Sequence, residues 1–120
     1  PSLIKKAMEN DVLSVWGDGS PVRDLIYADD VARGMMHVVK NKVTEPINLG
    51  SGTGVTIKQV AQIIANYFGK KIEWDTTKPM GDMKRIMDTT RAESYGFKAQ
   101  TPLRKGIENT IEWYFLVPNK

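Results

Sequence analysis

Cysteine is absent from the 120 residues, and histidine occurs once, at His37. The first absence excludes disulfides and thiolate chemistry within the chain. The second leaves His37 without a further imidazole for a zinc site or a nucleophile for a triad, so it reads as a surface or half-buried helix residue. No apolar run is long enough to cross a bilayer, and no secretory leader pattern is present. Charge of one sign is scarce as well: 17 Lys and Arg stand against 14 Asp and Glu, for a net charge of +3. The basic residues are dispersed among acidic ones, with no arginine-rich or aromatic-interleaved tract, so neither nucleic acid nor a membrane is expected as a partner. A soluble, cytoplasmic protein is the expectation. At 41% hydrophobic content the chain suits one domain with a modest core. Proline rather than methionine stands first, from which either a cut or an incomplete reading of a longer gene is expected.

What is present reads as alternating helices and strands. Leu3, Ile4, Ala7 and Met8 recur at helical spacing, which predicts a helix over residues 1–10, followed by a strand over 12–16. The dense turn chemistry of 17–21 precedes a short apolar-rich strand over 22–27. Asp29 or Asp30 can accept hydrogen bonds from the free amides of the next helix, whose apolar side is Val31, Met35, Met36, Val38 and Val39, and which fades near Asn41. Residues 46–49 are expected as a strand. Thr56 caps a helix running to Phe68, Gly69 ends it in a left-handed conformation, and 71–75 form another strand. Pro79 and Gly81 interrupt any pattern over 76–83, which reads as a loop. Residues 85–88 are extended, a short helix spans 89–95 and ends at Gly96, and a last helix after Pro102 carries Leu103, Ile107, Ile111 and Tyr114 along one line. Repeats and linkers are missing.

The richest stretch is residues 16–30: Trp-Gly-Asp-Gly-Ser-Pro-Val-Arg-Asp-Leu-Ile-Tyr-Ala-Asp-Asp. If 17–21 turn a hairpin, Trp16 and Arg23 flank it, and an aromatic plate and a planar guanidinium on one face would suit a nucleotide base and a phosphate. From residue types alone two bland alternatives stay open: an exposed arginine paired with Asp24, and a partly buried core tryptophan. Trp74 and Trp113 read as packing residues. Asp29 and Asp30 diverge as neighbours on a helix, which favours capping over a catalytic or metal-binding pair.

In its order of residues this stretch resembles the substrate domain of the extended short-chain dehydrogenase/reductases that act on nucleotide sugars, the NAD-dependent epimerase/dehydratase family, and within them the GDP-L-fucose synthases. The resemblance continues through Ile47-Asn48-Leu49-Gly50-Ser51-Gly52, Lys78-Pro79-Met80-Gly81, Arg85 to Asp88, Thr90-Arg91-Ala92, Gly96-Phe97, Gly106-Ile107 and Trp113-Tyr114. It implies an α/β fold with a small mixed sheet and several helices, the C-terminal part of a Rossmann-type extended fold whose dinucleotide-binding domain would precede residue 1. Residues 1–120 would then be its substrate-binding region. By the same resemblance Arg23 lies on the substrate diphosphate, Trp16 touches substrate, Arg85 with Lys84 forms a basic pair near the diphosphate, and Asn48 is a minor contact. A solvated basic pair is the alternative for Lys84 and Arg85. At Met80 the family pattern has an acidic, substrate-binding residue; a thioether accepts no strong hydrogen bond, which leaves the identity of the nucleotide and sugar open.

Two motifs of catalytic appearance fail on spacing. The run Gly50-Ser51-Gly52-Thr53-Gly54 has Val55 at the sixth fingerprint position and a helix starting too late to hold a pyrophosphate. Tyr67 and Lys71 have the Tyr-x-x-x-Lys spacing, but Gly69 breaks the helix that must align them. The proton-transferring pair and the glycine fingerprint are expected upstream of Pro1. The resemblance thus implies that the parent binds NADP or NAD, while this region carries no catalytic, cofactor-binding or metal-binding residue. Its expected partners are a nucleotide-diphosphate sugar, with a GDP-sugar favoured, the dinucleotide-binding domain, and a second copy in a possible homodimer. The competing reading is a non-enzymatic module that binds a nucleotide or sugar phosphate. Strands near Ile47 and Lys71 are expected to expose open edges and apolar surface.

Overall fold

The computed structural model describes residues 2–116; Pro1, expected in the first helix, lies outside them. The elements in chain order are α1 (Ser2–Glu9), β1 (Val12–Trp16), β2 (Val22–Asp24), α2 (Ala28–Lys40), β3 (Gly54–Thr56), α3 (Ile57–Phe68), β4 (Lys71–Asp75), β5 (Lys84–Arg85), α4 (Thr90–Ser94) and α5 (Leu103–Leu116). The α/β class expected from the sequence is what forms, with the strands divided between two small sheets. β1 pairs in parallel with β4, from Val12 opposite Lys71 to Trp16 opposite Asp75. β2 is the centre of the second sheet, antiparallel to β3 and parallel to β5.

The core lies between β1 and the helices. Alternation on β1 turns Leu13 and Val15 inward, where they meet Ile4 and Ala7 of α1, Val60, Ala61, Ile64 and Ala65 of α3, and Ile111 of α5. Leu103, Ile107 and Tyr114 pack against that cluster, so the apolar line expected on the last helix faces inward. Trp74 also packs there. Trp113 does not: it is 57% exposed, because α5 turns that position away from α3.

No hairpin joins β1 to β2. The 17–21 segment crosses from one sheet to the other over the N-terminus of α3, where free helix amides need acceptors: the carbonyls of Pro21 and Gly19 take the amides of Ile57 and Lys58. Gly19 has φ +82°, and a Cβ there would stand 2.6 Å from the Trp74 ring. Thr56 and Gln59 bond reciprocally as a capping box, and Gly69 ends α3 with φ 65°.

Three expectations give way to tertiary contacts. β2 stops at Asp24 rather than Tyr27 because its partner strands are only three and two residues long. Residues 46–49 form no strand; side-chain bonds tie the segment to the 88–91 region, with Arg91 Nη1 donating to the Pro46 carbonyl at 2.6 Å and Asn48 Nδ2 to that of Asp88 at 3.2 Å. Neither Asp29 nor Asp30 caps α2, whose N-cap is Tyr27 without a side-chain bond. They occupy the first turn, where negative charge still complements the helix dipole.

Asp30 reaches across the fold instead. Among the described residues it is the one buried charged side chain, and its carboxylate accepts Arg33 Nη2 at 3.0 Å and the Thr101 amide at 3.0 Å. Burial opposes its ionisation, but bonds from Arg33, Thr101 and Gln100 outweigh that and hold its pKa below the usual carboxylate range. A folded pKa below the unfolded value of about 3.9 stabilises fully above that value and is lost as pH falls through the folded one. Asp30→Asn is therefore expected to lower stability at pH 7 by about 1–3 kcal/mol. Urea denaturation at successive pH values should show the gap to the native chain closing below about pH 4. A gap independent of pH would show that the charge plays no part.

The inner side of α2 packs closely: a Cβ on Gly34 would stand 2.9 Å from Leu49 and 3.0 Å from Phe97. Its apolar side is uncovered, with Met35, Met36 and Val39 at 60%, 71% and 75% exposure. The apolar surface expected beside open edges is thus present, carried by a helix rather than by a strand at Ile47.

Candidate functional site

Arg23 sits at the middle of β2, in register with Val55 on one side and Arg85 on the other. Alternation sends the Arg23 side chain to the face opposite Asp24. The two do not pair. Asp24 Oδ1 accepts the amide and hydroxyl of Ser51 at 2.8 and 2.5 Å, and Oδ2 accepts the amides of Gly52 and Met87 at 2.9 and 3.2 Å. Burial works against the Asp24 charge, yet these four bonds prevail and keep its pKa below the ordinary carboxylate range. An exposed Arg23–Asp24 ion pair is thereby ruled out.

Arg23 commits one end of its guanidinium and leaves the rest open. Nη1 donates to the carbonyls of Val22 and Asp82 at 2.9 and 2.6 Å. Among the described residues no carboxylate pairs with it. Gly81, at φ +77°, lets the 76–83 loop close over this side chain: a Cβ there would lie 3.3 Å from Arg23 Nη2. Arg85 stands beside it on β5 with Asp82 as counter-ion, at 2.8 Å from Nε and 2.6 Å from Nη2. That pair is exposed and open to exchange with a stronger anion. Lys84, also exposed, has no carboxylate partner among the described residues.

Trp16 ends β1 on the outward side of its alternation and is 53% exposed, so it is not a core tryptophan. Two cations flank its ring: Lys6 Nζ at 5.9 Å and Lys78 Nζ at 5.7 Å from the centroid. Neither lysine stood out in the sequence. The signal for Lys78 was the parallel pairing of β1 with β4, which puts Asp75 opposite Trp16 and the start of the loop just beyond. Lys6 is brought in by the packing of α1 on β1.

What joins the two sheets is the loop. Lys78 lies at Trp16, Met80 packs on Gly17 so tightly that a Cβ there would be 2.3 Å from its Cγ, Gly81 covers Arg23, and Asp82 meets Arg23 and Arg85. In this order the loop lines up an aromatic face and a series of cations. Asn48 is held elsewhere, on the Asp88 carbonyl, in the segment that packs beside α4.

The glycine run offers no dinucleotide cradle, since the amides of Ser51 and Gly52 are spent on Asp24 and Gly54 opens β3. α3 ends at Phe68, so Tyr67 and Lys71 are not on one helix. Among the described residues no group of three His, Cys, Asp or Glu side chains could hold a metal, and no helix is long and apolar enough to cross a membrane.

Comparison with known proteins bears on the family and the fold. The NAD dependent epimerase/dehydratase family matches residues 1–50, the span holding Trp16 and Arg23. A putative GDP-L-fucose synthase 2 of Arabidopsis thaliana is 38% identical over 112 residues, covering 91% of this chain. The chain belongs to the NAD-dependent epimerase/dehydratase family. It spans 34% of the length of that Arabidopsis protein. A solved GDP-L-fucose synthetase from Naegleria fowleri superposes with TM-score 0.87 at 26% identity, over 97% of this chain and 38% of that one. A GDP-mannoheptose C4 reductase from Campylobacter jejuni, solved with NADP bound, superposes with TM-score 0.78 at 27% identity, over 96% of this chain and 44% of that one. The epimerase-family chain thus shares its α/β arrangement with nucleotide-sugar enzymes.

Proposed function

We propose that this chain grips the diphosphate of a nucleotide sugar, a GDP-sugar by preference, within an NAD(P)-dependent epimerase/reductase. One observation carries the reading: Arg23 presents an open guanidinium edge in register with Arg85, and no carboxylate claims it. Neighbouring strands run about 4.8 Å apart, and Asp82 neutralises Arg85 but not Arg23, so a bound anion could engage both guanidiniums. A diphosphate supplies the oxygens for parallel charge-assisted bonds to Arg23 and can displace Asp82 from Arg85. Trp16 with its flanking lysines offers a surface for the base or sugar, while Lys84, which alternation sets on the face of β5 opposite Arg85, would add charge only at longer range. Asn48 would join as a minor contact only after leaving the Asp88 carbonyl.

This region would supply affinity and orientation. Binding energy from the non-reacting nucleotide holds the sugar where reaction occurs. The Tyr/Lys proton-transfer pair and the dinucleotide-binding domain would belong to another part of the enzyme, where NADP or NAD supplies and accepts hydride. The residues present here do not fit that cofactor, and no step is assigned to it.

Calorimetric titration of the chain with GDP, UDP and dTDP tests the proposal. Saturable one-to-one binding of GDP in preference to the others is expected. Equal affinity for all three would mean that the site reads only the diphosphate, and no binding of any would overturn a preformed grip.

A further inference from the structure

We propose that Asp24 is a positioning residue of this grip, a side-chain clasp that fixes β5 against β2 and so sets Arg85 beside Arg23. The proposal rests on the diphosphate reading above. The backbone alone holds β5 weakly: the β2–β5 ladder has two register pairs, Val22 with Lys84 and Arg23 with Arg85. Such a short ladder also sets two arginines in register, of which only Arg85 has a carboxylate counter-ion, Asp82. Asp24 supplies what the ladder lacks. From the opposite face of β2 it takes the Met87 amide, two residues past Arg85, and with its other contacts holds the Ser51–Gly52 turn.

The pocket is built for a carboxylate. All four hydrogen bonds come from donors, so neither oxygen can be replaced by an NH2 group without facing an N–H. Gly50 keeps the space open, since a Cβ there would stand 2.9 Å from Asp24 Oδ2 and 3.0 Å from Met87. One carboxylate thus ties β2 to the backbone just outside both of its short ladders, the turn before β3 and Met87 after β5, and the adjacent residue in sequence is the phosphate-gripping arginine. The charge that would neutralise Arg23 is instead spent behind the sheet, which leaves Arg23 free on the front.

In Asp24→Asn the amide oxygen can keep the Ser51 bonds, while its NH2 then opposes the Gly52 and Met87 amides and releases β5. GDP titrations of the native chain, Asp24→Asn, Arg85→Ala and the double variant test this. Asp24→Asn is expected to weaken GDP binding roughly tenfold, and to add less than about twofold once Arg85 is gone, because both act through the same side chain. A merely structural role would give additive losses. Amide exchange at Met87 should quicken in Asp24→Asn, and Asp24→Glu, which keeps the charge, should recover part of the affinity. If Asp24→Asn fails to fold, Asp24→Glu against Arg85→Ala carries the same coupling test. Unchanged GDP affinity or full additivity would overturn the clasp while leaving the grip intact. Failure of the native chain to bind GDP would instead remove the diphosphate reading, and the clasp with it.

Discussion

Replacing Arg23 by alanine is expected to weaken nucleotide-diphosphate binding by about 1–3 kcal/mol, a loss of roughly 5- to 150-fold. The size follows from what the guanidinium has to offer. Nη1 is anchored on the carbonyls of Val22 and Asp82, which fixes the plane of the group, and Nε and Nη2 carry no hydrogen bond to a described residue, Nη2 lying under Gly81. A fixed fork loses little freedom on binding two phosphate oxygens. The alanine variant forfeits those bonds and also the anchor on Asp82, so the loop that lines up Lys78, Met80 and Asp82 loosens as well. Arg23→Lys separates the contributions: it keeps the charge without the fork, and an intermediate affinity is expected. In the intact enzyme, affinity for the dinucleotide should stay level. Calorimetry showing Arg23→Ala equal to the native chain would remove Arg23 from the site.

Ile111→Ala is expected to cost about 2–5 kcal/mol of stability. Its side chain is fully buried and is the deepest apolar contact of α5 with the cluster formed by α1, β1 and α3. Removing three carbons there leaves a void that rigid neighbours on three elements cannot collapse to fill. A domain of this size has about 5–15 kcal/mol in total, so the variant approaches the limit of folding. Trp113→Ala, on the exposed side of the same helix, should change stability by no more than about 0.5 kcal/mol. Equilibrium urea denaturation of the two variants checks both. A small loss for Ile111→Ala would mean that α5 is held by its partly buried residues, Leu103, Ile107 and Tyr114, rather than by this anchor.

Local signals predicted well where one element decides its own conformation. The Thr56 cap and the Gly69 stop rest on contacts within a few residues, and both are formed as expected; the strand over residues 12–16 also forms as its alternation predicts, though its ladder partner lies far off at 71–75. Signals failed where a distant segment outcompetes the local choice. Asp30 sits in the first turn of α2 as a good helix-start acid, yet its carboxylate is taken by Thr101, 71 positions away. The glycines of 17–21 suited a hairpin, but the amides of α3 offered partners that a hairpin could not match. Residues 46–49, expected as a strand, are tied down by side-chain bonds instead of a ladder.

The same division holds for the site. Residue order by itself determined the epimerase/dehydratase family and singled out Trp16, Arg23, Lys84 and Arg85, because a motif preserves residue types at set intervals. Tertiary structure alone decided that Trp16 and Arg23 belong to different sheets bridged by the 76–83 loop, that Lys6 and Lys78 flank the indole, and that Asp24 turns away from its neighbour. Those outcomes depend on strand register and on competition among separated donors and acceptors. They are set by which long-range pairs satisfy the most buried and charged groups at once, a condition that spans the whole chain and leaves no periodic trace in any one part of it.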